Sequence, residues 1–328
     1  MTPDNKASRL FGDALFVATQ IVGVAAFAFP FVRPQPAAGE AAARASDAPF
    51  ILGVSLIALF ALLGALRVNA KRIAVLGVLC AINAVLRLAE TLILPLPGGF
   101  SPVFLLIILV GYAYGARFGF LFGAFSLLTS ALATGGVGPW LPFQMFGGGW
   151  VGLTAGLLSK MRLGIGDWRL RISDFGSRIG RLAHRFPTSN LQPLTSKFDL
   201  ALLLPFGFVW GLLYGALLNL YFWPLVDAGA GLSWQAGMGI GDALGRYIAF
   251  YVATSLWWDI ASAIGNVALL AWLGSPILRA LLRFGTRFQF EVEPVFEKSA
   301  EAASCAAPRS ESGVGTPPDM AGRGSPAR

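Results

Sequence analysis

Ile73-Ala-Val-Leu-Gly-Val-Leu-Cys-Ala-Ile-Asn-Ala-Val-Leu-Arg-Leu-Ala-Glu-Thr-Leu-Ile-Leu94 is the stretch on which the reading of this chain turns. It is long and apolar enough to cross a bilayer core about 30 Å thick, which takes around 20 helical residues. Asn83, Arg87 and Glu90 interrupt it, and at 100° per residue they fall within about 60° of one another. Charged side chains at membrane depth are costly and face the interior of a bundle, so this stripe is a candidate binding surface. Counted from its basic end, Arg87 lies about 21 Å along the helix, in the outer half of the membrane. The competing reading is an Arg87–Glu90 pair that neutralises itself and ties helices together. Ala74, Gly77, Ala81 and Ala84 occupy another face, roughly 130° away, where small side chains let a second helix approach closely.

Working outward, comparable stretches recur at 14–32, 50–66 and 198–223. Shorter or glycine-rich ones lie at 103–116, 118–133 and 141–158, and 247–273 closes a set of eight spans. The 328 residues are 55% hydrophobic and 13% charged, with mean hydropathy +0.66. Soluble domains carry about 25% charged residues, so the chain belongs in lipid. Eight spans beginning in the cytoplasm put seventeen Lys and Arg on inner segments and only Arg33, Arg44 and Arg246 on outer ones. Basic residues collect on cytoplasmic loops, so both termini are expected inside a bacterial-type inner membrane. The net charge of +8 then reflects orientation and no nucleic-acid partner. The basic segment 160–197 carries interleaved Asp167 and Asp174 and reads as a cytoplasmic loop, or as an interfacial segment along anionic headgroups.

Lys6 and Arg9 ahead of an apolar run ending in Ala26-Phe27-Ala28 also fit a cleaved signal sequence; either way the orientation is the same. Cys80 lies in an apolar run and Cys305 in a polar one, so both are expected as free thiols. Residues 298–328 are rich in Ala, Ser, Glu, Pro and Gly and read as a disordered tail.

Three motifs stand in the centre of the chain: Pro97-Gly-Gly-Phe-Ser-Pro102, Gly111-Tyr-Ala-Tyr-Gly-Ala-Arg-Phe-Gly119 and Gly135-Gly-Val-Gly-Pro-Trp-Leu-Pro-Phe-Gln-Met-Phe146. Together they resemble the substrate-specific (S) component of an energy-coupling-factor (ECF) transporter. The resemblance covers about residues 72–273 and is most distinctive over Gly138 to Phe146. It implies an all-α polytopic transmembrane helical bundle with a six-helix core at 72–275, binding a vitamin from outside. The implied partners are a membrane coupling (T) subunit and two cytoplasmic ATPase subunits. A small-residue pattern on the first family helix contacts the coupling subunit, which points to Ala74, Gly77, Ala81 and Ala84 as that interface. The Gly-Pro-Trp and Gln pattern is most similar to components for cobalamin-like ligands. The chain departs from the family in the two spans within 1–71, the loop 160–197, and the basic segment and tail at 276–328.

The residues agree with this on their own terms. No Gly-x-x-x-x-Gly-Lys-Ser/Thr loop occurs, so ATP hydrolysis falls to a partner. His184 is the single histidine, which leaves no histidine-based metal cluster or Ser-His-Asp arrangement, and no catalytic residue, metal or cofactor is expected. The 135–142 loop, with glycines, two prolines and Trp140, suits a lid, and Gln144 in the next turn can donate to and accept from a ligand. Ser255, Asp259, Ser262 and Asn266 form a polar stripe in the last span, with Asp259 about 18 Å from the outer end and Trp257 and Trp258 above it. Asn219 and Tyr221 can face the same volume. The expected substrate-binding set is therefore Asn83, Arg87, Glu90, Phe100, Trp140, Gln144, Asn219, Trp258 and Asp259. Gly111, Gly115, Gly119 and Gly123 read as close helix packing around a turn. Two other readings are an intramembrane enzyme using Glu90 and Asp259, and a membrane scaffold without a ligand.

Overall fold

The structure, a computed structural model, describes residues 3–32, 47–65, 70–92, 101–177, 197–229 and 231–288. In hydrocarbon every backbone N–H and C=O must be paired within the chain, and helices accomplish this segment by segment. The elements are α1 (Pro3–Val32), α2 (Ala48–Ala65), α3 (Ala70–Leu92), α4 (Val103–Tyr114), α5 (Ala116–Thr134), α6 (Leu141–Ser177), α7 (Lys197–Phe222), a 3-10 turn (Trp223–Leu225), α8 (Ile240–Thr254) and α9 (Leu256–Phe288). The described residues contain no strand.

Six helical stretches are long and apolar enough to cross a membrane: Leu10–Val32, Ala48–Ala65, Ala70–Glu90, Ala116–Thr134, Asp199–Leu225 and Leu256–Gly285. At 1.5 Å per residue the 12-residue α4 is about 18 Å long, too short to span alone. It is instead buried along most of its length and forms the centre of the bundle, against α5, α6 and α9.

Two boundaries differ from the sequence-based expectation. The stretch 247–273 is not one helix, because the chain breaks at Ser255, whose φ of −135° leaves the helical region, and α9 starts afresh at Leu256. The expected loop 160–197 begins as helix, since α6 continues to Ser177; residues 178–196, with His184, and the tail 298–328, with Cys305, lie outside the described residues.

Glycine sets the spacing at the centre. A Cβ on Gly119 or Gly111 would collide with the backbone of Gly152, one on Gly123 with Gly148, and one on Gly156 with Ala116. Helices in lipid gain association energy from close van der Waals contact, which small residues permit. The antiparallel register of α5 on α6 follows from these pairs, and Gly115, with φ of 92°, supplies the reversal between α4 and α5. The polar stripe of the last span performs the equivalent task against α7. Asn266 Nδ2 donates to Gly207 O at 3.2 Å, and Cβ atoms at Gly211 and Gly215 would strike Ala263 and the Asp259 carboxylate.

α1 and α2 are joined to this bundle by aromatic contacts. Phe27 packs on Phe143, Trp150 and Tyr221 with ring centroids 5.1, 5.4 and 6.4 Å away. Trp150 Nε1 donates to Gln20 Oε1 at 2.9 Å, and Arg117 pairs with Asp13 while lying over Phe16. Between the 3-10 turn and α8, the Asp227 carboxylate accepts from the Gly229 N–H and the Ser233 hydroxyl, which together hold its pKa below the usual carboxylate value.

Candidate functional site

The α3 stripe divides into a brace and a site. Asn83 is buried; its Nδ2 donates to Val103 O at 3.3 Å and to Ser126 Oγ. It therefore pins α3 to the start of α4 and to α5, and its Oδ1 is buried without a partner. One turn later, Arg87 Nη1 lies 3.3 Å from Glu90 Oε1 and 3.4 Å from Ser101 Oγ. The Ser101 hydroxyl donates to Glu90 Oε2 at 2.7 Å and accepts from the Val103 N–H at 3.4 Å. Glu90 is thus clamped from two sides at 14% side-chain exposure, whereas Arg87 remains 37% exposed.

Arg87 opens into a cavity of about 160 Å³. Val103 and Phe104 at the start of α4 form one wall, with Tyr214 of α7 set edge-on to Phe104 at 4.6 Å between ring centroids. Leu127, Ser130, Ala131 and Thr134 of α5 form another. Gly136, Trp140 and Gln144 complete the lining.

The loop over the cavity is shaped by local chemistry. α5 ends at Gly135 in the left-handed region, φ 69°, a conformation that costs glycine nothing. Trp140 Nε1 donates back to Gly136 O at 3.1 Å, and a Cβ at Gly138 would enter the space of the indole ring. The indole is folded flat onto the loop and is 43% exposed. Gln144 follows in the first turn of α6, and neither its amide nor the Tyr214 hydroxyl hydrogen-bonds to any described residue. Each offers an unused polar group to an occupant.

Of the nine expected binding residues, the cavity brings together Arg87, Trp140 and Gln144. Asn83 and Glu90 stand behind it as braces. Phe100 lies outside the described residues. Asn219 donates to Gly215 O on its own helix at 3.0 Å. Trp258 is 62% exposed on the outside of the bundle. Asp259 sits in the first turn of α9 against Gly215, with one carboxylate oxygen buried and unpaired. None of these last three lines the cavity. The polar stripe is an α7–α9 contact and not a pocket floor. Glu90 and Asp259 are likewise not assembled as a carboxylate pair around this space.

Ser130, Thr134 and Tyr214 are lining residues that the spans concealed, and Ser101, also in the lining, stands in the Pro97–Pro102 motif between two spans. Leu127, Ser130, Ala131 and Thr134 do follow the i, i+3, i+4, i+7 spacing of one helix face, which is the signal available for them.

A second surface lies on the outward side of α3. Ala74, Gly77 and Ala81 are exposed, flanked by Val78 at 60% and Val85 at 64% exposure, and a Cβ on Gly77 would meet nothing within 4 Å. Ala84 is different: it is buried, turned into the bundle.

A family model described as the substrate-specific component of ECF transporters matches residues 71–274, from the start of α3 into α9, with α1 and α2 outside the match. No curated protein and no solved structure matches the chain.

Proposed function

The chain belongs to the substrate-specific component family of ECF transporters, and from that premise we infer that it captures a vitamin-like micronutrient in the cavity beneath Trp140. The observation that carries this reading is the convergence of Arg87, Gln144 and Tyr214, from three helices, on one space roofed by a glycine-shaped tryptophan loop. On the charge balance of the eight-span reading, that roof lies on the outer face and both termini in the cytoplasm. Import is driven by partners, a membrane coupling subunit and two ATPases, since this chain has no phosphate-binding loop of its own. The exposed α3 face of Ala74, Gly77 and Ala81 is the surface offered to the coupling subunit.

Size favours a compact ligand over a cobalamin-like one. An apolar cavity of about 150 Å³ accommodates benzene, and the present volume is about 160 Å³, the scale of one ring with short substituents.

The test is affinity purification of the tagged full chain in mild detergent, with mass spectrometry of co-purifying subunits and retained small molecules. Recovery of ATPase and coupling subunits together with a micronutrient is expected. Recovery of neither contradicts the reading and favours a scaffold. Trp140→Ala is expected to weaken ligand binding by about 10-fold, the worth of one aromatic face, while partner recovery in the same pull-down is unchanged.

A further inference from the structure

Resting on the reading of this cavity as the capture site, we propose that its ligand is a small organic monoanion, a carboxylate carried on a single ring or a chain of similar size. Among the described residues of the lining, Arg87 is the one charged side chain. Its counter-ion is set aside: Glu90 is held by the Ser101 hydroxyl at 2.7 Å, outside the lining, and meets Arg87 through a single nitrogen at 3.3 Å. Tight charge-assisted bonds of this kind measure about 2.7–2.9 Å. The existing pair is therefore loose, and a second carboxylate arriving from the cavity can form the shorter bond. Guanidinium groups recognise carboxylates with a planar fork of donors, which suits this task better than a neutral group does.

The neighbouring groups fit the same occupant. The Tyr214 hydroxyl, with no partner among the described residues, can donate to the carboxylate. The free Gln144 amide can both donate and accept, as a ring heteroatom or carbonyl would require. Phe104 and Tyr214, packed edge-on to each other with centroids 4.6 Å apart, provide an aromatic wall, and among the described residues no carboxylate lines the space to welcome a cation.

The experiment uses the full chain in lipid nanodiscs and titrates matched probes: nicotinate against nicotinamide, lipoate against lipoamide, pantothenate against pantothenol, with neutral pyridoxine and cationic thiamine beside them. At least one acid is expected to bind about 100-fold more tightly than its uncharged counterpart, the scale of a desolvated charge pair. Glu90→Gln is expected to raise that affinity by roughly five-fold, because a weak competing ion pair is removed. Arg87→Gln should abolish the preference and Arg87→Lys should keep part of it. If Arg87→Gln fails to fold because Glu90 is stranded, the Arg87→Gln/Glu90→Gln double variant makes the same comparison. Where no probe binds, the charge of the molecule retained on purification decides: an acid supports the proposal, and a neutral or cationic molecule overturns it. A neutral or cationic probe that binds as tightly as every acid, or a Glu90→Gln affinity that is unchanged or lower, also overturns it and leaves the capture reading standing. Failure of every probe with no retained molecule at all removes both.

Discussion

Gly152→Leu is expected to yield almost no correctly folded protein. At this position α6 receives two neighbours at once, because Gly111 of α4 and Gly119 of α5 both bring their Cα atoms against its backbone carbonyl, and the Gly152 Cα itself faces the Gly119 carbonyl. Backbone cannot yield as a flexible side chain does, so added carbon atoms must separate helices that are packed along their length. Overpacking a well-filled interior costs about 1–3 kcal/mol and occasionally more, and here the separation also opens the α5–α6 contact that supports Ser130, Gln144 and Trp140 around the cavity. The check is the fraction of monodisperse protein and its thermal midpoint in detergent, beside a Gly64→Leu control. A Cβ at Gly64 meets nothing within 4 Å, so the control should unfold with the native protein. Equal loss in both would mean that leucine itself, and not the close approach at Gly152, is responsible.

Gly77→Leu and Ala81→Leu carry the second large effect, in the opposite sense. Both positions point away from the bundle, and Gly77 has open space where its side chain would be, so the isolated chain should keep its stability and its ligand affinity. Assembly should be lost. Helix association in membranes depends on small residues that let backbones approach, and a leucine on each side of Val78 holds a partner helix off. Recovery of coupling and ATPase subunits in the pull-down is expected to drop by more than about 10-fold, equivalent to roughly 1.4 kcal/mol. Ala84→Leu separates the two kinds of surface: buried at 6% exposure, it belongs with the destabilising class. If Gly77→Leu lowers ligand affinity and assembly equally, the face has been misassigned.

These contrasts bear on how much of the molecule its sequence discloses. The spans at 14–32, 50–66, 73–94, 118–133 and 198–223 were legible because bilayer thickness imposes a length and hydrocarbon imposes a composition, and both are local properties; 103–116 and 141–158 are not among the six helices long and apolar enough to cross. Arg87 stood out as a charge inside an apolar span, and it does open into the cavity. The break at Ser255 was not legible, since Thr254-Ser255-Leu256 contains neither proline nor glycine. The stripe Asp259, Ser262 and Asn266 is compatible with a wet pocket or with a dry helix contact, and the choice is made by Gly207, Gly211 and Gly215 on a helix some fifty residues away in sequence. Ser130 and Thr134 were hidden for another reason. Small hydroxyls inside helices commonly satisfy themselves on the backbone four residues earlier, as Thr134 does on Ser130 O at 2.9 Å, so their presence in an apolar run signals nothing by itself.

The helices outside the family match also acquire a place. Gly23 of α1 lies against the Phe146 ring, and Phe27 touches Phe143; those two phenylalanines flank Gln144 on either side. α1 thus packs behind the first turns of α6, the part of the helix that carries a cavity residue, and leaves the small-residue face of α3 uncovered.

The central claim is that a small molecule occupies the space between Arg87, Tyr214 and the Trp140 loop. Native mass spectrometry of the full chain released from mild detergent measures this directly, comparing the natural protein with Ala131→Phe, in which a ring fills the cavity. A bound small-molecule mass on the natural protein that disappears from a folded, partner-competent Ala131→Phe variant is the predicted result. The same mass on both proteins, or no adduct on either, would contradict it.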